Sequence, residues 1–338
     1  MSTQAQPSPD LFFDTLTAYQ KTAALKAAID LNLFTALADA PATAAHVAKA
    51  CHAAERGVRI LCDYLTVLGF LQKSGDQYNL TLDSAVFLSR KSPGYAGGVT
   101  DFLLSDHLTS AFKRLTEAVR QGGTAESPQG STAPEHPMWM TFAQSMGGLM
   151  AQAAAGLAEI LPLDPNRPTK VLDISASHGV WGIAFAKKNP KTHLVALDWA
   201  PVLQITTRNA RAAGLADRFS TIAGSAFDAN FGTDYDAVLV PNFLHHFNAA
   251  DCVRFLQRCH AALRPDGRVA IVEFVPNPDR VTPPQAAGFS LVMLAMTPEG
   301  DAYTFDEYTV MLAEAGFEKP TAHSLPASVN QALISVRK

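Results

Sequence analysis

The chain has 338 residues, 48% of them hydrophobic and 17% charged, with a net charge of −4. At roughly 100 to 200 residues per domain this length predicts two domains, and the composition excludes a disordered or collagen-like chain. The mildly acidic balance gives no general attraction to nucleic acid or anionic lipid, no apolar run reaches the roughly 18 to 20 residues that cross a bilayer, and residues 1–10 lack a basic flank followed by an apolar stretch, so a cytoplasmic protein is expected.

In chain order, Phe12, Leu16, Tyr19, Ala23 and Ala27 recur at steps of three or four and predict a helix with one buried face that needs a partner surface. Pro41-Ala42-Thr43 predicts a helix start capped by Thr43 and running over 44–50, followed by a helix over 55–68 that Gly69 ends. Leu71, Tyr78 and Leu80 around Ser74-Gly75-Asp76 predict a small hairpin. Two helices and a hairpin make residues 1–100 a winged-helix-like module. Its basic residues, Lys21, Lys26, Lys49, Arg56, Arg59, Lys73, Arg90 and Lys91, are matched by as many acids. A neutral module does not neutralise phosphates, and protein contact, dimerisation above all, is the expected role.

Residues 101–165 read as a helical linker that contributes to the active-site wall. Within it, 121–137 is rich in Gly, Ser, Thr, Pro and Glu and predicts an exposed connection or a mobile lid. A long helix is expected over 138–161, with Met138, Phe142, Met146, Leu149, Ala153 and Leu157 on one stripe and Pro162 and Pro165 ending it.

From residue 166 strands and helices alternate. Strands are predicted over 170–174, 192–197, 218–223, 235–240 and 268–275, with helices from Gly179, from Pro201 and over 249–263 between them. Such repetition demands a parallel sheet covered on both faces, with ligands at the carboxyl ends of its strands. A helix over 305–315 and short strands over 318–324 and 331–336 add a late hairpin. Cys51, Cys62, Cys252 and Cys259 form no CxxC pair, and the last two share a helical face with Phe255, Leu256 and Leu263, so all four are expected as reduced core thiols.

The first of these strands ends in Asp173, and Ser175-Ala176-Ser177-His178-Gly179 then opens into a helix. Small residues there let a ligand approach the backbone, and the helix start offers unpaired N–H groups. The spacing is not G-x-G-x-x-G. An acid at Asp173 sits badly beside a pyrophosphate and well beside an amino group, so a cationic, amino-acid-bearing cofactor fits better than a dinucleotide. Asp198 ends the next strand, where a carboxylate can accept both hydroxyls of a ribose. Gly224-Ser225-Ala226-Phe227-Asp228 follows the third strand and suits the edge and face of a base.

In these residues the chain resembles the class I S-adenosylmethionine-dependent methyltransferases, and more closely the dimeric small-molecule O-methyltransferases of the plant caffeate and bacterial antibiotic-pathway type. The resemblance covers nearly the whole chain. It implies an α/β fold, a Rossmann-like seven-stranded methyltransferase sheet with a reversed last strand over 166–338, behind an N-terminal helical winged-helix dimerisation domain. The family's D-x-G-G-G-x-G turn falls on residues 173–179, its ribose acid on Asp198 and its G-D-x-F on 224–227. Its H-D-W falls on His245-His246-Phe247, and its V-x-E region on Val272 and Glu273 after Pro265-Asp266-Gly267. F-N-x-x-M falls on 142–146, G-x-x-x-T on 300–304 and A-G-F on 315–317.

The resemblance implies S-adenosylmethionine held by Asp173, Ser175, Ser177, Gly179, Asp198, Trp199, Ser225, Ala226, Phe227 and Asn242. It makes His245 a general base for an acceptor hydroxyl and Glu273 the acid that orients its imidazole. The acceptor, an aromatic or polyketide-like small molecule, is expected among Phe142, Met146, Asn242, His246, Phe289, Met293 and Met296, a soft apolar pocket. The chain departs from the pattern where Ser175, Ala176 and Ser177 replace three glycines, Ser225 an acid, Pro241 a basic residue and Ala302 the second acid, with Asp301 beside it. No metal is expected, since no HxH, HxxxH or Cys/His spacing occurs. The alternatives are C- or N-methylation on the same fold, non-methylating chemistry that uses the cofactor's charge, and a ligand-sensing winged-helix regulator.

Overall fold

The computed structural model describes residues 7–161 and 163–337, and the chain divides into two compact units between Thr100 and Asp101. Pro162, one of the expected helix stops, lies outside the described residues.

In the first unit, helices Asp10–Leu16 and Ala18–Asp30 precede Ala44–Ala50 and Glu55–Val67. The Thr43 hydroxyl caps the third of these by accepting from the His46 amide at 3.4 Å, as its sequence position predicts. Strands β1 (Ala42–Thr43), β2 (Leu71–Ser74) and β3 (Gln77–Leu80) form an antiparallel sheet in the order β1-β3-β2, with Gly75-Asp76 as the two-residue hairpin turn. Phe34, Val47, Val58, Cys62, Leu65 and Tyr78 fill its core. The expected buried face of the first helix differs. Only Ala28 and Ile29 are buried in Ala18–Asp30, while Phe12, Leu16 and Tyr19 are 63%, 58% and 69% exposed, because among the described residues of this unit no element covers them.

The second unit is built on a seven-stranded sheet of β4 (Thr169–Ile174), β5 (Thr192–Asp198), β6 (Phe219–Ala223), β7 (Tyr235–Pro241), β8 (Leu263–Glu273), β9 (Phe317–Ser324) and β10 (Gln331–Arg337). The order is β6-β5-β4-β7-β8-β10-β9, all neighbours parallel except β10, which runs antiparallel to both β8 and β9. This is the reversed last strand. Alternate residues of the central strands enter opposite layers. Leu172, Val238, Val240, Val269 and Ile271 pack with Phe255 and Leu256 on one side, and Val171, Ala237, Leu239, Ala270 and Val272 pack with Trp181 and Phe185 on the other. The period-two exchange fixes the register and brings Asp173, Asp198, Pro241 and Glu273 to the carboxyl edge.

Four local expectations are corrected. The helix over 138–161 is two helices, Met138–Ser145 and Gly147–Ile160, broken at Met146. Gly147 and Gly148 are weak helix formers, and a methyl at Gly147 would lie 3.2 Å from His178 Cβ. Residues 121–137 are not simply exposed: Gly123, Thr124, Gly130 and Ser131 are buried, the Thr124 amide donates to the Thr297 carbonyl at 2.8 Å, and Gly130 lies against the Met296 carbonyl. The strand expected from residue 268 begins at Leu263 and takes in the Pro265-Asp266-Gly267 turn, with Asp266 at φ +60°. Helix Pro284–Met296 has no counterpart among the expected elements, because it is apolar nearly all round and shows no stripe.

Candidate active site

The end of β4 forms a tight turn of small residues. Ser175 and Ser177 take φ of +51° and +52° and Gly179 takes +77°, the left-handed region that glycine enters without strain. The two serines therefore keep the backbone course that glycines would allow. The Ser177 carbonyl accepts from Thr206 Oγ1 at 2.5 Å, and its amide donates to Asp198 Oδ2 at 2.8 Å. Asp198 Oδ1 accepts from the Trp199 amide at 2.7 Å. Burial pushes the Asp198 carboxyl up to about 6, against the lowering effect of those two amides.

Asp173 is fully buried, and its Oδ2 accepts from the Gly182 amide at 2.9 Å. Burial first, then the charge of Asp198, pushes its carboxyl up to about 8. Asp173 Oδ1 and Ser177 Oγ are buried without hydrogen-bond partners. A buried orphan costs about 1 to 3 kcal/mol, and two beside one turn are what a polar ligand would satisfy. After β6, Gly224 at φ +132° donates its amide to the Asp198 carbonyl at 3.0 Å, so the third turn is tied to the second. Ser225 Oγ accepts from the Phe227 amide at 3.1 Å, and Ala226 is buried. The Phe227 ring, partly buried, packs on Phe243, Phe247 and Phe255 at the edge of the core.

After β7 the chain turns through Asn242, at φ +52°, into a short 3-10 turn, Leu244–His246. Glu273, at the end of β8, directs this turn. Its Oε1 accepts from the amides of Phe243 at 2.9 Å and Leu244 at 2.8 Å, with the His245 amide at 3.4 Å, and its Oε2 lies 2.5 Å from His245 Nδ1. Both residues are buried, Glu273 completely. A carboxylate on Nδ1 makes that nitrogen the N–H donor and leaves Nε2 with a lone pair that can take a proton. Residue 302 is a buried alanine, and Asp301 beside it pairs with Arg280 at 3.1 Å.

An aromatic chain links this pair to the cofactor turn. The His245 ring meets Phe289 at 4.8 Å and His246 at 4.3 Å, His246 meets Trp139 at 5.2 Å, Trp139 meets Phe142 at 6.1 Å, and Phe142 stacks on His178 at 5.9 Å. Phe289 stacks on Phe274. Among the expected acceptor residues, Phe142, His246 and Phe289 are thus brought into one series of contacts around His245. Met146, Met293 and Met296 are buried, the last two on helix Pro284–Met296. Asn242 belongs to another network. Its Oδ1 accepts from Asn330 Nδ2 at 2.8 Å, and its Nδ2 faces Met150 Sδ, which also lies 3.3 Å from His178 Nε2.

Sequence reasoning missed Trp139, Phe102 and Met150. Trp139 and Phe142 are three residues apart, a helical pair on one face, and that spacing could have marked the tryptophan. Phe102 packs edge-on to Phe142 at 5.0 Å, a contact between elements that no local pattern encodes. Among the described residues no group of three or more His, Cys, Asp or Glu could hold a metal ion, and no helix is long and apolar enough to cross a membrane.

A parallel sheet with a reversed last strand, two acids at the ends of adjacent strands and a carboxylate-bound histidine over a third define a methyltransferase. Residues 136–318 match the O-methyltransferase domain and residues 13–90 the O-methyltransferase dimerisation domain, and the chain belongs to this family, which uses S-adenosylmethionine. It is 29% identical to 3-hydroxy-5-methyl-1-naphthoate 3-O-methyltransferase of Streptomyces sahachiroi, over 95% of each chain. It is also 27% identical to L-tyrosine C(3)-methyltransferase of Streptomyces lavendulae, over 88% of this chain and 83% of that one. A crystal structure from Nostoc punctiforme, of a protein provisionally assigned as an O-methyltransferase, superposes with a TM-score of 0.95 at 50% identity, over 98% of this chain and all of that one.

Proposed function

We propose that this chain transfers a methyl group from S-adenosylmethionine to a hydroxyl of an aromatic or polyketide-like small molecule, with His245 as general base and Glu273 as its orienting acid. The observation that carries the proposal is the double engagement of Glu273, one oxygen on His245 Nδ1 and the other on the amides of the turn that bears His245.

The residues at the ends of β4, β5 and β6 fit the cofactor. The unpartnered Asp173 Oδ1 and Ser177 Oγ suit an amino-acid moiety beside the first turn, and the Asp198 carboxylate suits ribose hydroxyls, with Trp199, Gly179, Ser175, Ser225, Ala226, Phe227 and Asn242 completing the surround. S-adenosylmethionine, when bound, supplies an electrophilic methyl on a sulfonium. His245 Nε2 removes the acceptor's hydroxyl proton as its oxygen becomes a nucleophile, and Glu273 holds the tautomer and stabilises the charge left on the imidazole. The walls of Phe142, Trp139, Phe289, Met146, Met293 and Met296 hold a flat apolar acceptor and exclude water.

C-methylation is the second reading, favoured by the 27% identity to the tyrosine C-methyltransferase. Loss of the same phenolic proton also enriches the neighbouring ring carbon. Incubation with S-adenosylmethionine and a panel of phenols, followed by product analysis, tests both: a methyl ether supports the proposal, a ring methyl the second reading, and no methylated product overturns both.

The proposal includes a cytoplasmic homodimer that joins through the winged-helix module of residues 1–100, with 101–165 as the wall of the acceptor chamber. Four free cysteines suit a reducing compartment, and the exposed apolar side chains of Asp10–Leu16 suit a protein partner.

A further inference from the structure

The turn Leu244–His246 is held on its carbonyl side as well as by Glu273. The Leu244 carbonyl accepts from the Phe247 amide at 3.1 Å and from the Cys252 thiol, with Sγ at 3.2 Å. That carbonyl and the His245 amide are the two ends of one peptide plane, and the amide lies 3.4 Å from Glu273 Oε1. A peptide plane is rigid, so a partner at each end fixes its tilt, and with it the direction in which the His245 side chain leaves the backbone. At the exit of the turn the Phe247 carbonyl accepts from the Tyr303 hydroxyl at 2.7 Å, with Cys252 Sγ 3.7 Å away.

Both donors stand on fixed supports. Cys252 is fully buried near the start of helix Ala249–Ala262, whose Asn248 cap accepts from the Asp251 amide at 2.9 Å. Tyr303 directly precedes Thr304, which with Glu307 forms the capping box of helix Phe305–Glu314, and its ring packs edge-on to Tyr308 at 5.7 Å. Burial pushes the thiol and the phenol well above their usual ranges, so each keeps the proton it donates. Resting on the reading of His245 as base, we infer that Cys252 and Tyr303 are positioning residues that place the His245 imidazole by fixing the carbonyls before and after it. Their hydrogen bonds go to the backbone of the turn, so they act through His245 and do not meet the acceptor. A base displaced by about 1 Å can lose up to about 10²-fold in rate, which gives such a support a measurable effect.

The test is a double-mutant cycle on the full chain, read as the rate of methyl transfer from S-adenosylmethionine to 2-naphthol. Tyr303→Phe removes one oxygen and keeps the ring against Tyr308. It should lower kcat about tenfold while KM and the affinity for S-adenosylhomocysteine stay within a few-fold of wild type. Cys252→Ala should slow transfer about threefold, and Cys252→Ser, which keeps a donor, should restore most of the rate. In a His245→Ala background neither Tyr303→Phe nor Cys252→Ala should slow the residual transfer further, because the ring they place is gone. The same loss in both backgrounds would make the two residues general packing and overturn the inference, as would unchanged kcat in both single variants. A second readout needs no acceptor: the proton NMR signal of His245 Nδ1–H in the complex with S-adenosylhomocysteine, assigned by its absence from His245→Ala, should shift in Tyr303→Phe and return with Cys252→Ser. A signal unmoved in Tyr303→Phe and Cys252→Ala overturns the inference. Failure of the base reading looks different. There His245→Ala transfers as fast as wild type, or wild type transfers nothing, and the NMR signal alone decides whether the two residues place the ring.

Discussion

Glu273 holds His245 and the turn that carries it at once: Oε2 lies 2.5 Å from His245 Nδ1 while Oε1 gathers the amides of Phe243 and Leu244. One fully buried carboxylate thereby sets the ring's tautomer and the course of the turn that carries it. Glu273→Gln has a single carbonyl oxygen: kept on the amides it sets an NH2 against Nδ1, and turned to Nδ1 it abandons the amides. Turnover should fall about 10²- to 10⁴-fold, the range of a lost general base, with S-adenosylhomocysteine affinity within a few-fold of wild type. Steady-state rates and calorimetry on the same preparation check this, and a fall in affinity matching the fall in rate would assign Glu273 to cofactor binding.

Gly300 packs directly under the same turn. A methyl there would press on the His245 carbonyl oxygen and lie 2.6 Å from Thr297 Oγ1 and 2.9 Å from the His246 carbonyl carbon. Two of those atoms are backbone of the catalytic turn, so the turn must shift. Gly300→Ala should cost about 1 to 3 kcal/mol of stability, as overpacking does, and lower turnover at least tenfold. Chemical denaturation and rate measurements decide, and unchanged values in both would show that the turn yields freely.

The Asp198 carboxyl, raised to about 6 by burial, is ionised only as pH rises past that value, and its ionised form is the one that accepts two ribose hydroxyls. Affinity for S-adenosylhomocysteine should therefore increase between pH 5 and pH 8, and Asp198→Asn should weaken binding and flatten the profile around pH 6. The sign for folding is opposite. A carboxyl whose folded value exceeds its unfolded value of 3.8 contributes stability that is present below 3.8 and lost as pH rises through about 6, so ligand-free protein loses this contribution where the ligand gains its hold. Titration calorimetry at the two pH values is the check.

Leu11, Phe12, Phe13, Leu16 and Tyr19 are all more than half exposed along the first two helices. This much apolar surface in one stretch predicts a partner. Sedimentation should give a dimer at micromolar concentration, and Phe12→Asp with Leu16→Asp should give a folded monomer. A wild-type monomer would remove the homodimer from the account.

The sheet was legible because its strands are nearly continuous apolar runs broken by glycine, proline and polar turns, and because parallel strands present their last residues on one edge. That alone brings Asp173, Asp198 and Glu273 together. What escaped was set by contacts distant in sequence. The break at Met146 answers to His178, the burial of Thr124 to Thr297, and the link of Asn242 to Asn330 spans 88 residues. Ser131 gave no signal at all, since a serine in a stretch rich in Gly, Ser and Pro reads as loop until its burial is seen.

The most direct measurement is single-turnover transfer of labelled methyl from S-adenosylmethionine to phenolic acceptors, by wild type and by His245→Ala at equal cofactor saturation. The account predicts a labelled methyl ether from wild type and about 10²- to 10⁴-fold slower transfer by the variant, with cofactor affinity nearly unchanged. Equal transfer rates would contradict it, as would a wild-type enzyme that binds the cofactor and labels no hydroxyl.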